Sequence, residues 1–181
     1  MIMRSTVSRW IGIALLALVS VWAASLWYSF SRMPAMLVVL SSQHRFEGPL
    51  DSVYGPLYRW VARSALTTVL PRERDVAEIN AEASAHALGV IEDDHFLEQV
   101  FQRYVERGLD VNARAQTVRQ PSQLEAAVAV NEPQVVRLLL AHGAHADVKT
   151  TDGRSMRELA QEMQRRHPDR DYSRVQALLG Q

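Results

Sequence analysis

Six histidines invite a search for a metal centre. His142 and His145 stand three residues apart, and His95 follows Asp93-Asp94. Imidazoles and carboxylates at close spacing are the donors that hold zinc and other transition metals. But His142-Gly143-Ala144-His145 straddles a predicted helix terminus, so the two rings diverge, and no His-Glu-x-x-His helix occurs. Asp93-Asp94 has a simpler use as the N-cap and first turn of a helix, where the dipole favours negative charge. Glu158 and Glu162 lie one helical turn apart, the spacing of an acid–base pair, yet Arg165 and Arg166 beside them make a solvated charged face. Ser64 and Ser122 have no base at a recognisable spacing, and no Gly-x-Ser-x-Gly elbow occurs. Eight glycines are scattered singly, so no glycine-rich loop cradles a phosphate. The expectation is therefore a protein that is not an enzyme. It has no catalytic residue, no metal ligand, no cofactor and no small-molecule substrate.

Composition narrows the partners. Of 181 residues, 20 are Lys or Arg and 20 are Asp or Glu, and a net charge of zero argues against a dedicated nucleic-acid binder. An apolar share of 48% and a charged share of 22% exclude wholesale disorder. The absence of cysteine excludes disulfides, thiolate metal sites and a cysteine nucleophile. The charge is unevenly placed. Residues 1–45 hold four arginines and no acid, and residues 46–181 carry a net charge of −4. A basic, apolar leader on an acidic body reads as an address or an anchor.

That leader is residues 1–32. Trp10 to Phe30 is 21 residues without a charge, bracketed by Arg9 and Arg32. As a helix it is roughly 30 Å long, the hydrocarbon thickness of a bilayer. Trp10 at one end and Trp27, Tyr28 and Phe30 at the other suit the two interfaces. An uncleaved signal-anchor helix fits best, because the apolar run continues past the small-x-small site Val21-Trp22-Ala23 where a cleavable peptide turns polar. Cleavage there is the other reading. Arg4 and Arg9 precede the span and Arg32 and Arg45 follow it, so the positive-inside count is nearly tied, and the free amino terminus and short tail tip it toward an N-in orientation. For a bacterial source the chain is then a single-pass inner-membrane protein with a periplasmic body.

Residues 33–74 form a connector. Met36–Leu40 is too short to span a membrane and suits an interfacial strand or a piece that packs on the body. Pro56 suits a first helical position, and Leu57, Trp60, Val61 and Leu66 then fall near one face of a helix ending before Pro71. That helix is expected to cap the core that follows, or to lie on the membrane surface.

Residues 75–181 are helical by pattern, with turns at regular places, so the fold class is all-α. Val135, Leu138 and Leu139 share a helix face, and Gly143 supplies the positive φ that closes the helix. Ser122-Gln123-Leu124-Glu125-Ala126-Ala127 opens the preceding helix, and Ser155 stands 33 residues after Ser122. Each serine is placed to cap a helix N-terminus. Tyr104-Val105-Glu106-Arg107-Gly108 repeats the closing turn 35 residues before Gly143, behind a stripe of Leu97, Val100, Phe101, Tyr104 and Val105. Val76, Ile79, Ala83 and Ala87 suggest a first helix for that unit. Arg174–Leu179 repeats the second-helix pattern after an insertion, with His167-Pro168 breaking the preceding helix and Asp169 or Asp171 placed to cap the next. Three helix pairs follow, at about 75–107, 122–142 and 155–179. A degenerate Thr-Pro-Leu-His-x-Ala opening, a Leu-Leu-x-x-Gly-Ala close and a 33-residue period resemble the ankyrin-repeat family over residues 94–181.

The resemblance implies partner binding by the hairpin fingers between repeats and by the inner face of the first helices. Those positions are Arg114, Gln116, Thr117, Arg119 and Gln120 in one finger, and Lys149, Thr151, Asp152 and Arg154 in the next. Glu125, Arg157 and Gln161 are expected on the same groove. The fingers are locally basic, which fits an acidic patch on a protein partner. The expected function is a membrane-tethered ankyrin-repeat interaction module. One concrete form is an immunity or inhibitor protein that sequesters a secreted toxin or effector. The alternative is a structural or accessory subunit of an inner-membrane assembly or secretion system, in which residues 10–30 make the contacts. Catalysis is the remaining, weaker alternative.

Overall fold

The computed structural model describes the backbone of residues 2–180 and the side chains of residues 10–49 and 51–180. The side chains of Arg4 and Arg9, counted above for orientation, lie outside the described residues. The chain is all-helical, and among the described residues the one strand-like feature is an isolated antiparallel bridge between Arg114 and Ser122. It divides into two compact units, residues 1–70 and 71–181.

The first unit holds α1 (Ile2–Arg32), α2 (Ala35–Gln43), α3 (Pro49–Val53) and α4 (Gly55–Thr68). Within α1, Trp10–Arg32 is long and apolar enough to cross a membrane. Met36–Leu40 lies inside α2, so it is not a strand. The run lacks the apolar–polar alternation of a half-buried strand, and Pro34 starts the helix where its missing N–H costs nothing. α4 packs against both α1 and α2. It buries Val61, Ala62, Ala65 and Leu66, while Trp60 is 63% exposed and leaves the face assigned to it from spacing. The alanines are the reason: they allow the close approach, and Trp60 falls outside their arc.

The second unit runs through α5 (Glu73–Glu82), a 3-10 helix (Ala85–Val90), α6 (Asp94–Glu106), α7 (Gln123–Val130), α8 (Pro133–Ala141), α9 (Met156–Arg166) and α10 (Ser173–Leu178). α7 packs on α8 and α9, and α8 packs on α6 and α10. Val135, Val136, Leu138 and Leu139 of α8 join Leu124, Ala127 and Val128 of α7 in the core, beside Leu97, Val100, Phe101 and Tyr104 of α6. Local chemistry sets the ends. Asp93 accepts the Phe96 N–H at 3.0 Å, Ser122 the Glu125 N–H at 3.1 Å, and Ser155 the Glu158 N–H at 3.2 Å. Gly108 and Gly143 close α6 and α8 at φ of 96° and 89°. Asn131 turns left-handed after α7 at φ 65°, and Pro133 starts α8 at once.

Two expectations change here. α5 stops at Glu82, because Ala83 is left-handed at φ 50°, and Ala87 belongs to the 3-10 helix. Asp171 accepts the Ser173 N–H at 2.9 Å from just before α10, whose N-cap is Tyr172, while the insertion itself is pinned by the buried Tyr172, whose hydroxyl donates to the Ala129 carbonyl at 3.0 Å. The insertion also rests on Asn131, which donates to the Asp171 carbonyl at 3.0 Å.

Similar side-chain bridges link the last turn of α5 to the turn after α6, and that turn to the one after α8. Asn80 donates to the Gly108 carbonyl at 3.0 Å and accepts the Asp110 N–H at 3.0 Å. Asn112 does the same one unit on, donating to the Gly143 carbonyl at 3.1 Å and accepting the His145 N–H at 2.9 Å. Gln123, fully buried, makes a third such bridge: it donates to the Ile79 carbonyl at 3.1 Å and accepts the Ala85 N–H at 2.9 Å. Each amide side chain supplies one donor and one acceptor, the pair that an open turn needs.

Candidate functional site

The first finger, residues 114–121, is a tight loop. Ala115 donates its N–H to the Pro121 carbonyl at 2.8 Å and buries its methyl, while the Gln116 N–H reaches the Ala81 carbonyl at 2.7 Å. Gln120 takes a positive φ of 43° to close it. At its tip Val118 is 100% exposed. The second finger turns at Thr150–Gly153, where the Gly153 N–H meets the Thr150 carbonyl at 2.9 Å and Gly153 has φ 85°. Thr150 is buried and accepts the Arg154 N–H at 3.0 Å.

The two fingers are tied together. The Arg114 guanidinium donates to the Gln120 carbonyl at 3.1 Å in its own finger and to the Lys149 carbonyl at 3.4 Å in the next. Thr151 donates its hydroxyl to the Arg119 carbonyl. Arg154 pairs with Asp152, and the guanidinium and the Thr150 hydroxyl together push the Asp152 carboxyl down to about 2. So Arg114 and Arg154 are committed within the fingers, whereas Gln116, Arg119 and Lys149 are exposed. Below Arg114 lies a cavity of about 250 Å³, lined also by Asn112, Leu124 and His145.

Glu125 sits at the start of α7, half-buried, with Oε2 buried and without a partner among the described residues. Burial raises its pKa, outweighing the Ser122 contact and the pull of Arg114 and Arg154. The arginines thus stand close to Glu125 without neutralising the cost of desolvation. Arg157 does not join this group. Its guanidinium reaches the Leu179 carbonyl at 3.3 Å, at the C-terminal end of α10. Also on α9, Glu162 holds Arg165 at 2.8 Å and Arg166 at 2.7 Å. The arrangement therefore unites Arg114, Gln116, Arg119, Glu125, Lys149, Asp152 and Arg154 around two joined fingers and leaves Arg157 apart.

A pH effect follows from Glu125. A carboxyl whose pKa rises on folding binds its proton more tightly in the folded chain, so stability falls as pH rises from 4.5 through the higher folded value. Glu125→Gln removes that fall. The variant is expected to melt higher than the parent near neutral pH, with the gap closing toward pH 4.5, and thermal melts at the two pH values check it. A gap that widens on acidification contradicts the sign.

The histidines take separate paths. The His142 ring stacks tilted on Phe101 at 5.4 Å, and His145 lines the cavity. His95 contacts Gln99 at 3.1 Å. Among the described residues no three His, Asp or Glu side chains converge as a metal site. Val118 is the surface residue that the sequence reading passed over. Its signal was a lone apolar residue in a polar finger.

Compared with protein-family models, with curated proteins and with solved structures, the chain matches none of them.

Proposed function

We propose that the chain is a membrane-tethered helical-repeat module of the ankyrin kind that grips another protein and performs no reaction. The asparagine bridge supports this reading most. It recurs from Asn80 and from Asn112 to equivalent turns, as expected of units that stack in register. Paired fingers held rigid by Arg114 and Thr151 suit recognition, since little ordering remains to oppose binding. The body lies on the periplasmic side of a bacterial inner membrane, anchored by α1. The form we favour is an immunity protein that blocks a secreted toxin or effector.

The partner is a protein surface with an apolar dimple for Val118 and carboxylates around it for Arg119 and Lys149. The full chain in detergent, incubated with an envelope and secretion extract of its source, is expected to retain one protein. Val118→Asp should then lower the affinity for it by about tenfold or more, as loss of a central apolar anchor does, with the melting curve unchanged. Equal affinity moves the binding face off the fingers. The assembly-subunit reading draws on the uncovered apolar surface of Trp10–Val21 and the open side of Gly12. It gains if capture ignores Val118→Asp and is lost in Gly12→Leu.

A further inference from the structure

Between Asp51 and Arg59 the chain carries no charge. Ser52-Val53-Tyr54-Gly55-Pro56-Leu57-Tyr58 forms the corner where α3 meets α4. The two charges that bracket it meet each other, Arg59 pairing with Asp51 at 2.6 Å. Gly55 makes room for that pair, because a Cβ there would collide with the Asp51 carboxylate and the Arg59 guanidinium. The Phe46 N–H also donates to Asp51 at 3.0 Å, and Arg59 donates to the His44 carbonyl at 3.2 Å. The ion pair closes the base of the corner. On its outer side Val53 is 68% exposed, Tyr54 is 49% exposed and Pro56 is exposed. The Ser52 hydroxyl donates to the Pro49 carbonyl at 2.9 Å, the Tyr58 N–H reaches the Tyr54 carbonyl at 2.9 Å, and Pro56 has no N–H. These pairings suit the corner to apolar surroundings.

Contacts with α1 give the base and the tip of the corner different depths. Phe30, the last residue of the uncharged run, meets Tyr58 at 5.2 Å, and Phe46 meets Tyr58 at 5.2 Å. The ion pair, with Arg45 and Glu47 beside Phe46, thus stands level with the end of the run, where Arg32 lies over the Tyr28 ring at 4.6 Å. The tip reaches further back, since Tyr54 meets Trp22 at 5.8 Å. Trp22 precedes Phe30 by roughly 12 Å along the helix axis. A lipid boundary at Phe30 leaves Trp10–Phe30 whole as the span, with Arg9 before it and Arg32 after it in the sequence. It keeps Asp51 and Arg59 out of hydrocarbon, where ionised side chains are strongly disfavoured. The same boundary puts Val53 and Tyr54 inside it. The corner also continues the exposed apolar face of Trp10–Val21, so whatever solvates that face reaches the corner as well. We propose that the α3–α4 corner is a wedge inserted in the bilayer beside α1. Val53, Tyr54 and Pro56 enter the acyl chains, and the Asp51–Arg59 pair rests among the headgroups and stops the wedge from sinking further. This rests on the membrane tether proposed above.

The absence of cysteine makes the test direct. Full-length Leu16→Cys, Val53→Cys and Val118→Cys are labelled in detergent with an environment-sensitive nitrobenzoxadiazole dye. Each is reconstituted in phosphatidylethanolamine–phosphatidylglycerol vesicles, with and without phospholipid that carries a spin label on its upper acyl chain. Quenching by that lipid does not depend on which way the body faces. The dye at Val53→Cys is expected to be quenched at least about half as strongly as at Leu16→Cys and at least about threefold more strongly than at Val118→Cys. If Val53→Cys matches Val118→Cys while Leu16→Cys is quenched, the tether stands and the wedge is overturned. If the dye at Val53→Cys is shifted to the blue yet unquenched, a protein surface such as a second copy covers the corner, and the proposal is equally overturned. If Leu16→Cys escapes quenching too, the tether itself is wrong and the wedge falls with it.

Discussion

Leu139→Asp is expected to abolish the cooperative melt of residues 71–181 while the helical signal of α1 persists. Leu139 is fully buried at the centre of α8, where α7, α6 and α10 converge on that helix. Truncating a buried leucine costs about 2–5 kcal/mol, and the aspartate adds an unpaired carboxylate that no neighbouring group solvates. Small domains hold only about 5–15 kcal/mol in total, so little or nothing remains. Circular dichroism melts of the full chain in detergent read the result. Leu139→Met keeps volume and polarity and should cost less than about 1.5 kcal/mol, which separates charge burial from intolerance of any change at the site. A Leu139→Asp melt superimposed on the parent's would mean that α8 does not form the core described.

Gln123→Leu comes second in size. Its shape resembles glutamine, so packing survives, but the Ala85 N–H loses its partner, while the Ile79 carbonyl keeps the Ser84 N–H at 3.2 Å. One orphaned buried donor costs about 1–3 kcal/mol, which puts the variant about 1–3 kcal/mol below the parent. The measurement is the denaturant midpoint at unchanged slope, together with faster hydrogen exchange at the Ala85 amide. A loss under half a kilocalorie, about the noise of a surface change, would show that Gln123 is not the bridge it is drawn to be.

The features legible in the sequence were those decided within a few residues. Ser122 and Ser155 cap helices because the hydroxyl needs only the amide three positions on, and Gly108 and Gly143 turn left-handed because only the local backbone is asked to do so. The α6 and α8 stripes could be read because 3.6-residue spacing defines a face. What escaped depends on distant partners. Gln123 reaches back 44 residues to Ile79, and Arg114 reaches forward 35 to Lys149. Arg114, expected to meet a partner, thus also ties the two fingers together. Asn80 and Asn112 did carry a trace, since they stand 32 apart, near the 33-residue spacing of Ser122 and Ser155. Trp60 and the strand alternative for Met36–Leu40 were misread because hydrophobicity alone does not say which neighbour arrives, and α4 chose its alanine face.

The asparagine bridges also fix where this body comes apart. Asn80 ties the end of α5 to the turn after α6, Asn112 ties that turn to the one after α8, and Gln123 ties α7 back to the end of α5. A central segment such as α7–α8 is held from before and after; a terminal one is held from a single direction. Separation under load or heat therefore begins at an extremity and travels inward like a row of falling dominoes, with α7–α8 the last to let go.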